Sequence, residues 1–457
     1  MPEAQADNDA GAPRPGGAGA ELRELLRLSG PVVLSRLGVM TMGLSDAIVV
    51  GRYSAEQLGY HALAWAPTSV VLTMAIGLLS GIHVMSARAI GEGRRAEVGA
   101  VLRRGVVYGL WIGLAAMAVL SLSVGPILGA LGLEPDLARG AARAAIVFSL
   151  SLPTYVVACA ATFWLEAIGR ASISMWLMWA ANLVNVVLLL VLVPGSYGLG
   201  VDGAVGAAWA TFGARLFLML GLGLFILRMP QARELGVFSR AAPNRAEARE
   251  QRRIGYGAGV SNFFEVGAFA FMNVIAGWMG ALAVAAWAVV LNVSAMVFMV
   301  PLGLATATAV LVGRAFGGRD RAGVVRAGAL GFAVTAIFGL VVSLVILPSA
   351  GLISRAYTTD PRVLAVAAPA LMLACLFFLA DALQVVAAQA LRARGDVWLP
   401  TITHLTSYVL VMVPLAWWLS IPRGLGVNGI VWAVVAASLL SAAFLLARFW
   451  RLARHPL

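Results

Sequence analysis

IGYGAGVSNFFEVGAFAFMNVIAGWMGALAVAAWAVVLNVSAMVFMVPLGLATATAVLVG, from Ile254 to Gly313, is a run of 60 residues with a single charged side chain, Glu265. Crossing the hydrocarbon core of a bilayer takes about 20 apolar residues, so the run holds two membrane spans joined by a short turn. Glu265 falls inside the first of them. A carboxylate at that depth costs about 2.5 to 3.5 kcal/mol on insertion scales, and such residues face a partner, a cavity or an ion path. What accompanies Glu265 therefore decides what the chain does.

The whole chain shares this character. Of 457 residues, 61% are hydrophobic and only 12% charged, with a mean hydropathy of +0.90, which excludes an ordinary soluble domain. Apolar runs between charged or Gly/Pro breaks predict spans at 29–51, 60–86, 105–130, 141–165, 173–193 and 202–227. Six more follow at 254–278, 284–312, 327–350, 363–390, 398–420 and 427–447. The expected fold class is an all-α polytopic membrane protein of twelve transmembrane helices. A disordered tail is expected over 1–28, where MPEAQADNDAGAPRPGGAGA has the composition of a disordered segment and not of a cleaved leader. An N-lobe (29–227), an Arg-rich linker (228–253), a C-lobe (254–447) and a short C-terminal tail (448–457) complete the division.

Charge sets the expected orientation. All 33 basic residues are Arg; 25 of them lie at the termini and in the connections after the even-numbered spans. The opposite connections hold six, Arg52, Arg139, Arg143, Arg355, Arg362 and Arg423, while Arg36 and Arg215 lie within spans. By the positive-inside rule both termini are expected in the cytoplasm, with the protein in the cell's inner (plasma) membrane. The same distribution explains the net charge of +12 without a nucleic-acid partner. Cys159 and Cys375 both fall in spans and the four histidines are scattered, so neither a disulfide framework, a zinc site nor a bound cofactor is expected.

The chain repeats itself at an offset of 226 residues. RAIGEGRRAEV (88–98) stands opposite RAFGGRDRAGV (314–324), GLGVDG (198–203) opposite GLGVNG (424–429), and LEAIG (165–169) opposite LRARG (391–395). An even number of spans per repeat brings both halves in from the same side, related by an axis along the membrane normal. Two pseudo-symmetric six-helix lobes then enclose a cleft. One cleft per chain makes a monomer sufficient.

Within the spans, polar residues fall into two sets. Asn262 and Ser261 project within about 60° of Glu265 on a helix. Asp381 is the only charge between Arg362 and Arg392, and Gln384 shares its face at i+3. Asn292 is the midspan polar residue of span eight. Glu265, Asp381 and Asn292 are expected to form one pocket whose oxygens suit a proton or a hard cation. No arginine lies near Glu265 or Asp381 in sequence. The first lobe carries Asp46 and Arg36 in span one and Asn182 with Asn185 in span five. The bland alternatives are that the asparagines join helices, that Arg36 and Arg215 are structural, and that His61, His83 and His404 are interfacial or packed. Trp65 and Trp287, at offset-related sites less one turn, are candidates to face the cleft.

These residues carry a resemblance. MGLSDAIVVGR (42–52), FFEVGAFA (263–270), LNVSAMVFMVPLG (291–303) and DALQVVAAQALRARGD (381–396) resemble the multidrug and toxic compound extrusion (MATE) family, and more closely its NorM-like branch. The resemblance implies twelve helices in two lobes that export cationic or amphipathic small molecules in exchange for Na+ or H+. It aligns Glu265, Asp381 and Asn292 with the second-lobe cation site, and Asp46 and Asn185 with the first-lobe acidic pocket. The chain departs from the branch in having Trp287 and Ala288 where a His-Gln pair is common, Phe377 where a Tyr is frequent, and Asn182 and Asn185 three residues apart instead of four. Asn182, Asn262, Gln384, Trp287 and Phe377 are then expected at the substrate cleft. The expected function is secondary antiport by alternating access, with drugs or metabolites and the lipid bilayer as partners. A flippase for lipid-linked saccharides from the same wider superfamily is the alternative. A membrane-embedded transferase would need a phosphate or metal motif, and the sequence has none.

Overall fold

The computed structural model describes residues 18–130, 134–195, 201–239 and 244–454. Residues 1–17, which carry most of the expected tail, and the start of the GLGVDG repeat lie outside them. The described residues are helical throughout, with no strand. The first half folds as α1 (Ala18–Tyr53), α2 (Ala55–Leu78), α3 (Ser80–Gly91), α4 (Val98–Ala130), α5 (Pro135–Leu150), α6 (Leu152–Ala167), α7 (Ala171–Leu192) and α8 (Gly203–Arg228). The second half comprises α9 (Arg245–Met279), α10 (Ala281–Gly317), α11 (Arg321–Tyr357), α12 (Pro361–Ala393), α13 (Trp398–His404), α14 (Val413–Ser420) and α15 (Val427–Ala453). A π-helical turn, Leu405–Met412, joins α13 to α14. By length and composition these give eleven membrane spans, or twelve when α5 and α6, bent by 41° at Ser151, count as one broken span. Span two is interrupted at Leu79, between α2 and α3.

Helix ends extend beyond the apolar runs because polar caps, not hydropathy, set them. α1 begins at Ala18, so the last part of the expected 1–28 tail is helical. α9 begins at Arg245, nine residues before the expected span, because the Asn244 side chain accepts the backbone N–H groups of Ala246 and Glu247. The second part of the expected 228–253 linker is therefore helix. Asp320 caps α11 by accepting Gly323 N–H at 2.8 Å, and Asp360 caps α12 just before Pro361. At the C-terminus, α15 runs on to Ala453.

The two halves meet through their repeated segments. A Cβ added at Gly91 would collide with the Arg314 carbonyl oxygen, and one at Gly317 with that of Arg88. Gly91 and Gly317, like Arg88 and Arg314, are separated by the repeat offset. The side chains are reciprocal too: Arg88 Nε donates to Ala393 O at 2.9 Å, and Arg314 Nη2 donates to Ala167 O at 2.9 Å. Each arginine thus caps the last turn of the other half's α6 or α12, where free carbonyls attract a cation. Further along the seam, a Cβ at Gly77 would lie 2.7 Å from Gly259 Cα. Small residues let the backbones touch, as in membrane helix pairs generally. This end of the bundle is closed in the structure.

Candidate cation and substrate site

Three helix faces converge around Glu265. On α9, Ser261 and Glu265 share a face at i+4; on α12, Asp381 and Gln384 do so at i+3; and His404 and Tyr408 lie four apart at the π-helical turn. The Gln384 amide is fully buried and its Nε2 donates both to Glu265 Oε1 at 3.2 Å and to Asp381 Oδ1 at 3.4 Å. The two carboxylates, from different helices, thus share one amide. Asp381 Oδ1 also accepts from the Tyr408 hydroxyl at 3.3 Å and the Ser438 hydroxyl of α15 at 3.5 Å. On the other side of Glu265, His404 Nδ1 lies 3.6 Å from Oε2 and 2.9 Å from Ser261 Oγ. The π-helical turn widens the helix locally, a feature frequent at functional sites, and it carries Tyr408.

This cluster differs from the sequence expectation in several places. His404, expected to be interfacial or packed, is buried with its ring edge-on to Tyr408 and joins the cluster as well; its i, i+4 spacing to Tyr408 is the signal in the sequence. Asn292 does not join it by hydrogen bond: its Nδ2 turns back to Ala288 O at 2.8 Å on its own helix, and the side chain is exposed. Asn262 lies against Gly77 of α2, at the seam between the halves. Trp287 and Phe377 are buried in the apolar core of the second half, Phe377 edge-on to Phe378 with ring centroids 5.0 Å apart. They pack the lobe and do not line an open cleft, because both rings lie on helix faces turned into the second-half core. The arginine that follows on α12, Arg392, eleven residues beyond Asp381, is fully buried and makes no ion pair with Glu265.

The first half has a separate cluster. Asp46 on α1 is buried, with Oδ1 accepting from Asn185 Nδ2 at 3.1 Å and Oδ2 from the Thr211 hydroxyl at 2.7 Å. A small cavity opens beside it, lined by Trp65, Tyr155, Met178, Thr211 and Arg215. Arg215 lies over the Tyr155 ring at 4.5 Å and donates to Ser151 Oγ at 2.7 Å. Asn182 is not part of this cluster. Its Nδ2 donates to Gly38 O at 3.0 Å and Met178 O at 2.9 Å, joining α7 to α1. Arg36, about 15 Å along α1 from Asp46, pairs instead with Glu166 of α6 at 3.4 Å. Glu166 is a partner that sequence distance concealed.

Comparison with known proteins agrees with this architecture. A MatE family model matches residues 31–191 and again residues 258–418, once in each repeat. A probable multidrug resistance protein NorM of Caulobacter vibrioides is 60% identical over 435 residues, covering 94% of this chain and 92% of that protein. The multidrug resistance protein PmpM of Pseudomonas aeruginosa is 31% identical, over 93% of this chain and 90% of its own length. Among solved structures, the eukaryotic MATE transporter AtDTX14 superposes with a TM-score of 0.86 at 18% identity, over 96% of this chain and 99% of that one. An outward-facing MATE transporter of the MOP superfamily gives 0.85 at 20% identity, over 94% and 96%. The chain belongs to the MatE family, and is a membrane transporter rather than an enzyme.

Proposed function

We propose that the chain is a secondary antiporter of the cell's inner membrane that exports cationic or amphipathic small molecules in exchange for Na+ or H+. The observation that carries this reading is the pair of carboxylates, Glu265 and Asp381, held from two helices by the one Gln384 amide. Two carboxylates so placed in a low-dielectric interior need positive charge, and a proton or a hard cation supplies it. The surroundings fit a cation: Gln384 Oε1 is buried without a donor, and the Tyr408 and Ser438 oxygens stand on the same side as Asp381. Asp46 with Asn185 serves as the first-lobe counterpart.

Exchange follows from competition. With the far side open, an external cation neutralises Glu265 and Asp381, and a cationic substrate loses its attraction to the cleft. With the Arg-rich end open, release of the ion restores the negative charge and favours a new substrate. One charge moving through 100 mV supplies about 2.3 kcal/mol, enough for a roughly fiftyfold concentration ratio. The lobes, taken as 29–227 and 254–447, move about the seam at Gly91 and Gly317, and both termini face the cytoplasm. The protein acts as a monomer.

The test is uptake of a fluorescent cationic dye into inverted membrane vesicles under a sodium gradient and, separately, a proton gradient. Uptake under one gradient, lost in Glu265→Gln, is the expected result and names the ion. Full gradient-driven uptake by Glu265→Gln at normal expression sinks the mechanism.

A further inference from the structure

Arg392 has no role in the site described so far, yet its position is unusual. It is among the largest fully buried side chains, and its Nε and Nη2 have no hydrogen-bond partner among the described residues. A guanidinium cannot shed its proton to ease burial, and an uncompensated buried charge is strongly destabilising. An anion brought within reach of Arg392 would relieve that cost.

The duplication shows which anion. The repeat offset places Arg392 at the position of Glu166 in the first half, and Asn262 at the position of Arg36. In the first half those two positions form the Arg36–Glu166 pair, in which Glu166 is buried. In the second half one member is an asparagine and the other has become the cation, so the pair cannot form. The repeat thus sets Arg392 opposite the turn of α9 that carries Asn262, and the carboxylate on that turn is Glu265, three residues beyond Asn262. Asp381 and Arg392 lie eleven residues apart on α12, on nearly the same face and about 16 Å apart along it. Glu265 on α9 is held to the Asp381 side by Gln384. The charged and titratable groups around it are Asp381 and Arg392 on α12, His404 at the end of α13 and Tyr408 in the π-helical turn.

We propose that Arg392 is a tethered cation that takes over Glu265 when the coupling ion leaves, so that the carboxylate alternates between the Gln384–Asp381 side and Arg392. This rests on the reading of Glu265 as the coupling carboxylate and makes Arg392 a positioning residue for ion release. The same residue lies in the closed seam, since its backbone carbonyl accepts from Arg88 Nη2 at 3.3 Å. Ion occupancy at Glu265 is thereby linked to the contact between the lobes.

The experiment measures dye transport by the full-length protein in proteoliposomes against stepped concentrations of the driving ion. With its competitor removed, Arg392→Gln lowers the half-saturating ion concentration by about tenfold or more, the low end of couplings between close charge pairs, and lowers the maximal rate because release slows. Arg392→Lys keeps the charge and stays nearer to wild type. A purely structural role changes expression or maximal rate and leaves half-saturation where it was, and that result overturns the proposal. Glu265→Gln is run in parallel. If it abolishes ion dependence while Arg392→Gln leaves half-saturation unchanged, only the Arg392 proposal falls; if it retains ion dependence, the coupling reading falls as well. Should Arg392→Gln fail to accumulate, the double variant Glu265→Gln/Arg392→Gln is compared with it. Recovery of accumulation upholds the pairing, and no recovery overturns it.

Discussion

Replacing Gly91 by alanine is expected to open the closed end of the molecule. The glycine packs directly on the Arg314 carbonyl of the other half, and the repeat-related Gly317 on that of Arg88. A carbon–oxygen contact needs about 3.3 Å, and a Cβ at either position falls far enough inside that limit for the lobes to part by about 1 Å. The neighbour is backbone in the middle of a packed seam, so no side chain can rotate out of the way. Separation also weakens the 2.9 Å bonds from Arg88 to Ala393 and from Arg314 to Ala167. Overpacking of this kind costs about 1 to 3 kcal/mol, which shifts the balance toward the state open at this end by roughly 5- to 150-fold. The assay uses a background without Cys159 and Cys375, with a single cysteine replacing Ala87, fully buried in the seam. Labelling by a water-soluble maleimide from the Arg-rich side is expected to accelerate within that range in Gly91→Ala, and again in Gly317→Ala. Gly125→Ala, where nothing lies within 4 Å of the added methyl group, is the control and leaves the rate unchanged. Equal labelling of Gly91→Ala and wild type, with both folded, would falsify the role given to this seam.

Two further outcomes separate packing from function. Arg36→Ala leaves Glu166, whose side chain is 1% exposed, without its cation; breaking a buried pair costs about 3 to 5 kcal/mol, so the variant loses most of its accumulation in the membrane, and Arg36→Ala/Glu166→Gln regains part of it. Trp287→Ala removes a buried ring from the second-half core and is expected to lose about 3 to 5 kcal/mol of stability, seen as a lower melting temperature in detergent, while the ion dependence of transport is unchanged; an altered ion or substrate dependence at intact stability places Trp287 in the cleft after all.

How much of this was legible in advance depended on the range of the signal. Asp381 and Gln384 lie one turn apart on one helix, so periodicity alone put them on one face. The Glu265–Gln384 bond spans 119 residues, and only the repeat and the rarity of charge within the spans hinted that the two meet. The spacing of His404 to Tyr408 puts the two on one face but does not say what that face meets; its place beside Glu265 follows from how α13 packs on α9. Asn292, Trp287 and Phe377 are the opposite case. Their residue types drew attention, but side-chain direction within a crowded bundle turned Asn292 back on its own helix and sealed the two aromatic rings in the core.

The sequence by itself determined the span count, the duplication and the scarcity of charge at depth, because hydropathy and a fixed repeat are properties of neighbouring residues and need no packing to be read. It also determined that Glu265 and Asp381 are costly where they stand, since a carboxylate in hydrocarbon is costly in any fold. Only the tertiary structure decided that they share Gln384 and that Arg36 answers to Glu166 and not to Asp46. Those pairings depend on distances of a few ångströms between helices more than one hundred residues apart, and helix packing, not local sequence, sets such distances.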